Sequence, residues 1–463
     1  MMNDGLLAID IGTTAIKIGI IKQHKLLYQK AYGIKTYNDS DGSNYQLSGE
    51  IINVIYLAIK EISPRFLQQV RKISFSVAMH SLMPVTHPLT LHEKIFIWSD
   101  SQAEATIEIV KESPLAQKFY LKTGTPNHFM SPFAKLLHFQ RQSLYPSTTK
   151  WYGLKELVMQ VFTGNYLIDY ATASATGLLN LSELNWDKEI LNYLDIHENQ
   201  LGELADTTAS LPILKDVAEN LKLSEETEVV IGASDGCLAA YAGYMATGIP
   251  NSLTIGTSAA VRKITSEKRF DANKQNFCYY LNENYYVIGA PSNNGGCVLE
   301  WASNILTDDP KTFYETLTAK IQASPIGANG LRFFPYINGE RAPFWSTNKR
   351  AHFKNFSITH TQADLSRAVV EGVLMNLKIL KEMLGDVSEF SLSGGFFKTE
   401  MLCEMTANIL DAKCWLSAFN EPIFGLYYLI YGSNQVQEVP VKEIISDEKQ
   451  QVEYNRLFND YFA

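Results

Sequence analysis

The stretch Leu6-Leu7-Ala8-Ile9-Asp10-Ile11-Gly12-Thr13-Thr14-Ala15-Ile16-Lys17-Ile18-Gly19-Ile20-Ile21 decides how this chain is read. A short apolar run ends at Asp10, Gly12-Thr13-Thr14 makes a turn, and an alternating run around Lys17 follows, which is the pattern of a β-hairpin. The pattern returns at Leu253-Thr254-Ile255-Gly256-Thr257-Ser258-Ala259, with Ile, Gly, Thr and Ala in the same relative places and Ser258 standing for Thr14. The chain therefore reads as two halves of one design. A turn of Gly followed by two small hydroxyl residues leaves backbone N–H groups and hydroxyls facing outward, where a phosphate can accept them. Each turn taken alone could equally be a tight turn and nothing more; their pairing across the halves favours the phosphate. No Walker A sequence is present, and no G-x-G-x-x-G lies between a strand and a helix.

The rest of the composition narrows the class. With 463 residues, 46% hydrophobic and 19% charged, the chain has the length for two large domains or three smaller ones, and disorder is not the default. Forty Lys plus Arg against 49 Asp plus Glu give a net charge of −9, which disfavours unaided binding to a nucleic-acid backbone or an anionic membrane. The cysteines at 237, 278, 297, 403 and 414 form no CxxC pair, which suits reduced thiols in a cytoplasmic protein. The start, MMNDGLLAID, lacks the basic stretch of a signal peptide. The most apolar region, Gly232 to Val261, is broken by Asp235, several glycines and Pro250, so no membrane span is expected. Gly248 and Pro250 punctuate the chain between Tyr244 and Asn251, which sets a hinge there and domains at 1–246 and 247–463. A helix is expected over Gln362 to Leu380, capped by Thr361, with Leu365, Ala368, Val369, Gly372 and Val373 on one face. Strands and helices in both halves make the class α/β.

Three strand ends carry candidates for chemistry. Asp10 precedes the first turn, an expensive place for a carboxylate unless a metal, a water or hydrogen bonds compensate it. It suits a place beside Mg2+ and phosphate, or it caps its own turn. Asp235 stands where the apolar run Val229-Val230-Ile231 meets small residues and a helical stretch. There a carboxylate can take a proton from an attacking hydroxyl, or simply cap the helix. His80 follows the strand-like Ile73 to Val77, with Met79 as an apolar wall; a lone His is commonly structural. Ser393-Gly394-Gly395, after Glu389 to Leu392, reads as a further strand-to-helix junction where the glycines admit a ring or phosphate close to the backbone. The nine histidines show no HExxH, so a zinc site finds no support.

From Leu6 to Gly432 the chain resembles the FGGY carbohydrate kinases, and within them the gluconate-kinase branch. The resemblance rests on Asp10-Ile11-Gly12-Thr13-Thr14, Ala78-Met79-His80-Ser81-Leu82-Met83, Trp98-Ser99-Asp100, Thr123-Gly124-Thr125-Pro126, and Met130-Ser131-Pro132 with Lys135. It continues through Gly232-Ala233-Ser234-Asp235-Gly236-Cys237, Ile255-Gly256-Thr257-Ser258, Asn293-Asn294-Gly295-Gly296, Gly339-Glu340-Arg341-Ala342-Pro343 and Ser393-Gly394-Gly395-Phe396. It implies two actin-like ATPase domains with ribonuclease-H-like cores and a ligand cleft between them. It also implies ATP with Mg2+, Asp235 as general base and Asp10 at the metal. Gly12, Thr13 and Thr14 would form one phosphate turn and Gly256 and Thr257 the other, with Lys17 near the phosphates. Gly296, Gly394, Gly395 and Thr399 would line the nucleotide pocket, and Met79, His80 and Met130 would face the sugar.

The implied reaction is phosphorylation of D-gluconate to 6-phosphogluconate. Ala78 and Gly236 stand where xylulose kinases usually carry Gln and Asn, which sets gluconate ahead of xylulose. His80, Lys135 and Arg341 are the candidate cations for the acid's carboxylate, and Arg341 could as easily anchor its loop by pairing with a nearby carboxylate. A kinase of another sugar or polyol, or a non-catalytic actin-like module, is the alternative. Small sugars or sugar acids and ATP/ADP are the expected partners, with no nucleic acid and no membrane, and association into a homodimer is left open. The chain departs from the family pattern at Gln102 (usually Arg), His138 (usually Trp), Asn355 (commonly Gly) and the bulky segment Pro422 to Tyr428.

Overall fold

A computed structural model describes residues 5–417, 422–432 and 441–462. The chain divides into two compact units, residues 1–245, 265–287 and 419–437 in the first and 246–264, 288–418 and 438–463 in the second. The sequence reading sets a single boundary after residue 246; the change of unit at 245/246 lies beside it, but two later segments return to the first unit.

In the first unit the predicted hairpin is present as β1 (Gly5–Ile11) antiparallel to β2 (Ala15–Lys22), with Leu6 opposite Ile21 and Ile11 opposite Ile16. β3 (Lys25–Gly33) extends it on the β2 side. On the other side β4 (Val70–Val77) runs parallel to β1, β5 (Ser210–Pro212) forms the edge, and β6 (Glu228–Ser234) runs parallel to β4, giving the order β5-β6-β4-β1-β2-β3. In the second unit β7 (Asn251–Ile255) and β8 (Ala259–Thr265) make the second hairpin, and residues 288–292 of β9 (Tyr285–Ser292) follow β8. β10 (Glu389–Ser393) is parallel to β7, β11 (Lys413–Ser417) is parallel to β10, and β12 (Val441–Ile444) is the antiparallel edge. The order β12-β11-β10-β7-β8-β9, six strands of a seven-stranded sheet, repeats the order of the six-stranded sheet of the first unit. The repeat seen in the two turns thus extends across six strands.

Alternation in the sequence explains the first core. Leu7, Ile9, Ile11, Ile16, Ile18 and Ile20 are fully buried in one cluster with Ile51, Ile55 and Ile59 of helix Ser48–Lys60 and Leu157, Val158 and Phe162 of helix Leu154–Thr163. Burying each such side chain contributes about 1.5–3 kcal/mol. The opposite face of this sheet receives helix Pro422–Tyr431, from the end of the chain. A Cβ at Gly19 would lie 3.1 Å from Ile423 Cδ1, and one at Gly425 would lie 2.3 Å from the Leu238 carbonyl oxygen. The bulky Phe424, Leu426 and Tyr427 are buried here, so this departure from the family pattern fills the core of the first unit.

Lys155 is fully buried under β6 and donates to the carbonyls of Phe75 (2.7 Å) and Ile231 (2.6 Å), with Asp169 Oδ2 at 3.3 Å. It clamps β4 to β6 where the register of β6 shifts between Val230 and Ala233, at Gly232 with φ +77°.

The helix expected at 362 runs Gln362–Glu382, and the cap is as predicted: Asp364 N donates to Thr361 Oγ1 at 3.3 Å while Asp364 Oδ2 accepts from Thr361 N at 2.8 Å. Ala368, Val369, Gly372 and Val373 are buried, but Leu365 is only half-buried, and Arg367, Glu371 and Asn376 are buried too. The helix is packed by helices Gly296–Leu306, Pro310–Ala323 and Glu400–Leu410, so it needs internal polar pairing, which Arg367 Nε supplies by donating to Glu371 Oε1 at 2.7 Å. Among the described residues no helix is long and apolar enough to cross a membrane.

Candidate active site

In the first unit three parallel strands end side by side, and each end carries a predicted residue. Asp10 is opposite Ser76 of β4, and Ser76 is opposite Ala233 of β6. Ser76 Oγ donates to Asp10 Oδ1 at 2.6 Å. β4 leads into Met79 and His80, and β6 leads directly into helix Asp235–Thr247. Neighbouring strands lie about 4.8 Å apart, so the line from β1 to the start of Asp235's helix spans about 10 Å. The carboxyl ends of adjacent parallel strands are where open α/β sheets hold their ligands. Asp235 is the first residue of its helix, and its Oδ1 accepts from Gly236 N at 2.7 Å.

Gly12 N donates to the Ala15 carbonyl at 3.1 Å, closing the predicted turn. Behind it, the carbonyl of Thr13 accepts from Gln46 Nε2 at 2.9 Å and that of Thr14 from Ile34 N at 3.1 Å, while the Thr14 side chain is exposed. Lys17 is directly opposite Asp10 in the hairpin, which puts both side chains on one face of the sheet.

His80 has φ +67°, in the left-handed region, and its Nδ1–H donates to the Ala175 carbonyl at 2.8 Å. Met130 is buried and Met79 half-buried. Lys135, a candidate cation for a substrate carboxylate, is fully buried and donates to the carbonyls of Met130 (2.5 Å) and His80 (3.1 Å). It is spent on the protein's own backbone and is not open to a ligand. Burial pushes its amine down to about 7, against the pull of the Asp100 carboxylate, and burial raises Asp100 in turn. Gln102 and His138 are tied elsewhere: Gln102 Nε2 donates to Asp41 Oδ2 at 2.9 Å, and Thr106 Oγ1 lies 3.1 Å from His138 Nδ1.

The second unit assembles a separate cluster around its own turn. Gly256 and Thr257 are exposed between β7 and β8. Gly296 N donates to the Gly256 carbonyl at 2.7 Å and Cys297 N to that of Thr257 at 3.1 Å, so the first turn of helix Gly296–Leu306 braces the hairpin from behind. A Cβ at Gly296 would lie 2.7 Å from the Gly256 oxygen, and Gly394, with φ +106°, presses on Ile255, where a Cβ would lie 2.3 Å from the carbonyl oxygen. Gly395 is exposed, and Thr399 caps helix Glu400–Leu410 by accepting from Leu402 N at 3.4 Å. The predicted residues Gly256, Thr257, Gly296 and Gly394 thus meet at one strand end.

Sequence reasoning quoted Glu340 in a motif but gave it no role. The structure makes it a hub: the buried carboxylate accepts from Ser292 Oγ (2.7 Å), Asn376 Nδ2 (2.7 Å), Asn293 N (2.9 Å) and Arg341 N (2.7 Å). Burial raises its pKa while these donors oppose the rise. It joins the 339–341 loop to the Asn293-Asn294-Gly295-Gly296 loop that braces the hairpin. Arg341 Nη2 donates to the Ser292 carbonyl at 2.8 Å, so this second candidate cation anchors its own loop. Asn355, in place of a common Gly, has φ +63°, a conformation Asn tolerates better than most residues. A carboxylate inside a Gly-Glu-Arg run was the available signal for Glu340; its donors, from 292 to 376, are too far apart in sequence to be paired from spacing.

The model of the FGGY family of carbohydrate kinases matches in two parts, the N-terminal domain over residues 6–242 and the C-terminal domain over 251–422. The chain belongs to the FGGY family of carbohydrate kinases. Among curated FGGY relatives, the gluconokinase of Bacillus subtilis is 32% identical over 456 residues, covering 92% of this chain and 88% of that one. The xylulose kinase of Staphylococcus xylosus is 24% identical, covering 88% and 86%. Among solved structures, a ligand-bound xylulose kinase from Lactobacillus acidophilus matches with TM-score 0.92 and 28% identity over 99% of this chain and 97% of that one. A gluconate kinase from the same organism matches with TM-score 0.91 and 28% identity over 99% and 96%. The two-domain, actin-like α/β architecture expected from the sequence is therefore the fold of this FGGY kinase, and ATP is the family's phosphate donor.

Proposed function

We propose that this FGGY kinase phosphorylates D-gluconate to 6-phosphogluconate. The observation that carries the chemistry is the row of strand ends in the first unit, with Asp10 near the end of β1, His80 just after β4 and Asp235 just after β6, three adjacent parallel strands. The terminal hydroxyl oxygen of the acceptor bonds to the γ-phosphorus as the bond from that phosphorus to the β-bridging oxygen breaks. Asp235 takes the hydroxyl proton and ADP leaves. Phosphoryl transfer asks the protein for positioning and charge stabilisation more than for covalent help.

The exposed Thr14 and Thr257 side chains and the N–H groups of their turns are the proposed phosphate donors, with Lys17 adding charge. Gly394, Gly395 and Thr399 are assigned to the rest of the nucleotide. Among the described residues no group of three or more His, Cys, Asp or Glu could cage a metal. That suits Mg2+, which is commonly held by one or two carboxylates together with substrate phosphates and water. Asp10, a hard oxygen ligand at a strand end beside the first turn, would be its protein ligand; when bound, the ion neutralises charge on the β- and γ-phosphates.

For the acceptor, gluconate is supported by the higher identity to the Bacillus gluconokinase (32%) than to the Staphylococcus xylulose kinase (24%), and by Ala78 and Gly236 in the motifs. D-Xylulose is the second reading, because a xylulose kinase and a gluconate kinase match the fold equally well, with TM-scores of 0.92 and 0.91 at 28% identity each. Lys135 and Arg341 are engaged by the protein's own carbonyls, and His80, whose Nδ1 is on the Ala175 carbonyl, is the predicted contact to the acid that this reading keeps, through its other ring nitrogen. A coupled ADP-release assay decides between the two sugars. The expected result is a kcat/KM for D-gluconate at least tenfold above that for D-xylulose; the reverse order would overturn the gluconate assignment and leave the kinase intact.

A further inference from the structure

Lys135 sits on helix Pro132–Arg141, yet its side chain leaves the helix to bridge two other segments of the first unit. Its terminal nitrogen donates to the carbonyl of Met130, in the turn before the helix, and to that of His80, in the turn after β4. Those are two of the three residues assigned above to the sugar. His80 holds a left-handed backbone that non-glycine residues rarely adopt, and among the bonds that hold it are the one from Lys135 to its carbonyl and the one from its own ring to Ala175. The nitrogen is fully buried, and a neutral amine or an ammonium can each make both bonds.

We propose that Lys135 is a positioning residue for the acceptor: by tying the carbonyls of His80 and Met130 together it sets the spacing of the two side chains that meet the sugar. It is not a catalytic residue and does not touch the substrate. The proposal rests on the reading that His80 and Met130 face the sugar, and the test separates the two.

Lys135→Met keeps nearly the volume, ends one atom short and removes both donors, while Lys135→Gln has the same reach as Met and keeps an amide donor. With the full chain, KM for D-gluconate, KM for ATP and kcat are measured for each folded variant, folding being checked by circular dichroism. The expected result for Lys135→Met is an acceptor KM raised at least tenfold, an ATP KM within twofold of wild type, and a fall in kcat smaller than the rise in KM. Lys135→Gln should show the same split with a smaller rise. A structural role alone would lower the melting temperature and leave this split absent. If Lys135→Met folds and its acceptor KM is unchanged, the proposal is overturned, and His80→Ala then shows which part has failed. A raised acceptor KM in His80→Ala keeps the sugar-side reading and removes only the tie; an unchanged one removes the reading as well. Should Lys135→Met not fold, Lys135→Gln is judged by the same criteria; if neither folds, Lys135 is a structural residue and the proposal falls.

Discussion

Asp235 is a carboxylate placed by the end of its strand, with its Oδ1 accepting from Gly236 N. β6 ends at Ser234, the helix begins at Asp235, and the bulge at Gly232 that shifts the register just upstream is held from below by Lys155. A general base in this position should control turnover and leave nucleotide affinity alone. Asp235→Asn keeps the shape, so kcat should fall by roughly 100-fold or more while the Kd for ATP stays within about threefold. Near-normal turnover in that variant would refute the base assignment. The residue scale is also where sequence was least informative. Lys135 and Arg341 look like ligands for an acid because both are cations in motif segments; anchoring of its own loop is an open alternative for Arg341 alone, with a carboxylate as partner, and the carbonyls that each one meets come from other segments. A buried cation needs partners from its surroundings, and those partners are non-local.

The two hairpins and their turns were legible because each is local: a period-two pattern, a Gly and two hydroxyl residues suffice. The observed registers, Ile11 opposite Ile16 and Ile255 opposite Ala259, follow from those residues. The bracing behind the second turn was not legible, because it needs helix Gly296–Leu306 to start within hydrogen-bonding distance of Gly256. Helix Pro422–Tyr431 is similar: an apolar segment announces burial but not the sheet that buries it, and here that sheet belongs to the other end of the chain. The bracing makes a specific prediction. Gly296→Ala puts a methyl 2.7 Å from the Gly256 oxygen, so the helix or the turn must move. Overpacking of this kind costs about 1–3 kcal/mol. The expected outcome is a lower melting temperature and an ATP KM raised at least fivefold, with the acceptor KM little changed. An unaltered ATP KM would detach this turn from the nucleotide.

At the scale of the molecule, the shared order of six strands in the two sheets shows one hairpin-and-crossover plan used twice and specialised differently in each. The first unit puts carboxylates at its strand ends, Asp10 and Asp235; the second puts glycines there, Gly256 and Gly394. Acid residues suit proton and metal chemistry, and bare backbone suits close approach of phosphate or a ring. That division of labour is the physical content of the kinase reading, and the net charge of −9 adds that anion binding must come from these local donors. Phosphorus NMR of the full chain with ATP, Mg2+ and D-gluconate tests it most directly. The account predicts one new phosphomonoester signal, from a phosphate on the terminal hydroxyl, growing in step with ADP and absent without sugar. ADP formed with inorganic phosphate in place of a sugar phosphate, or no ADP at all with gluconate or any other sugar or polyol, would contradict it.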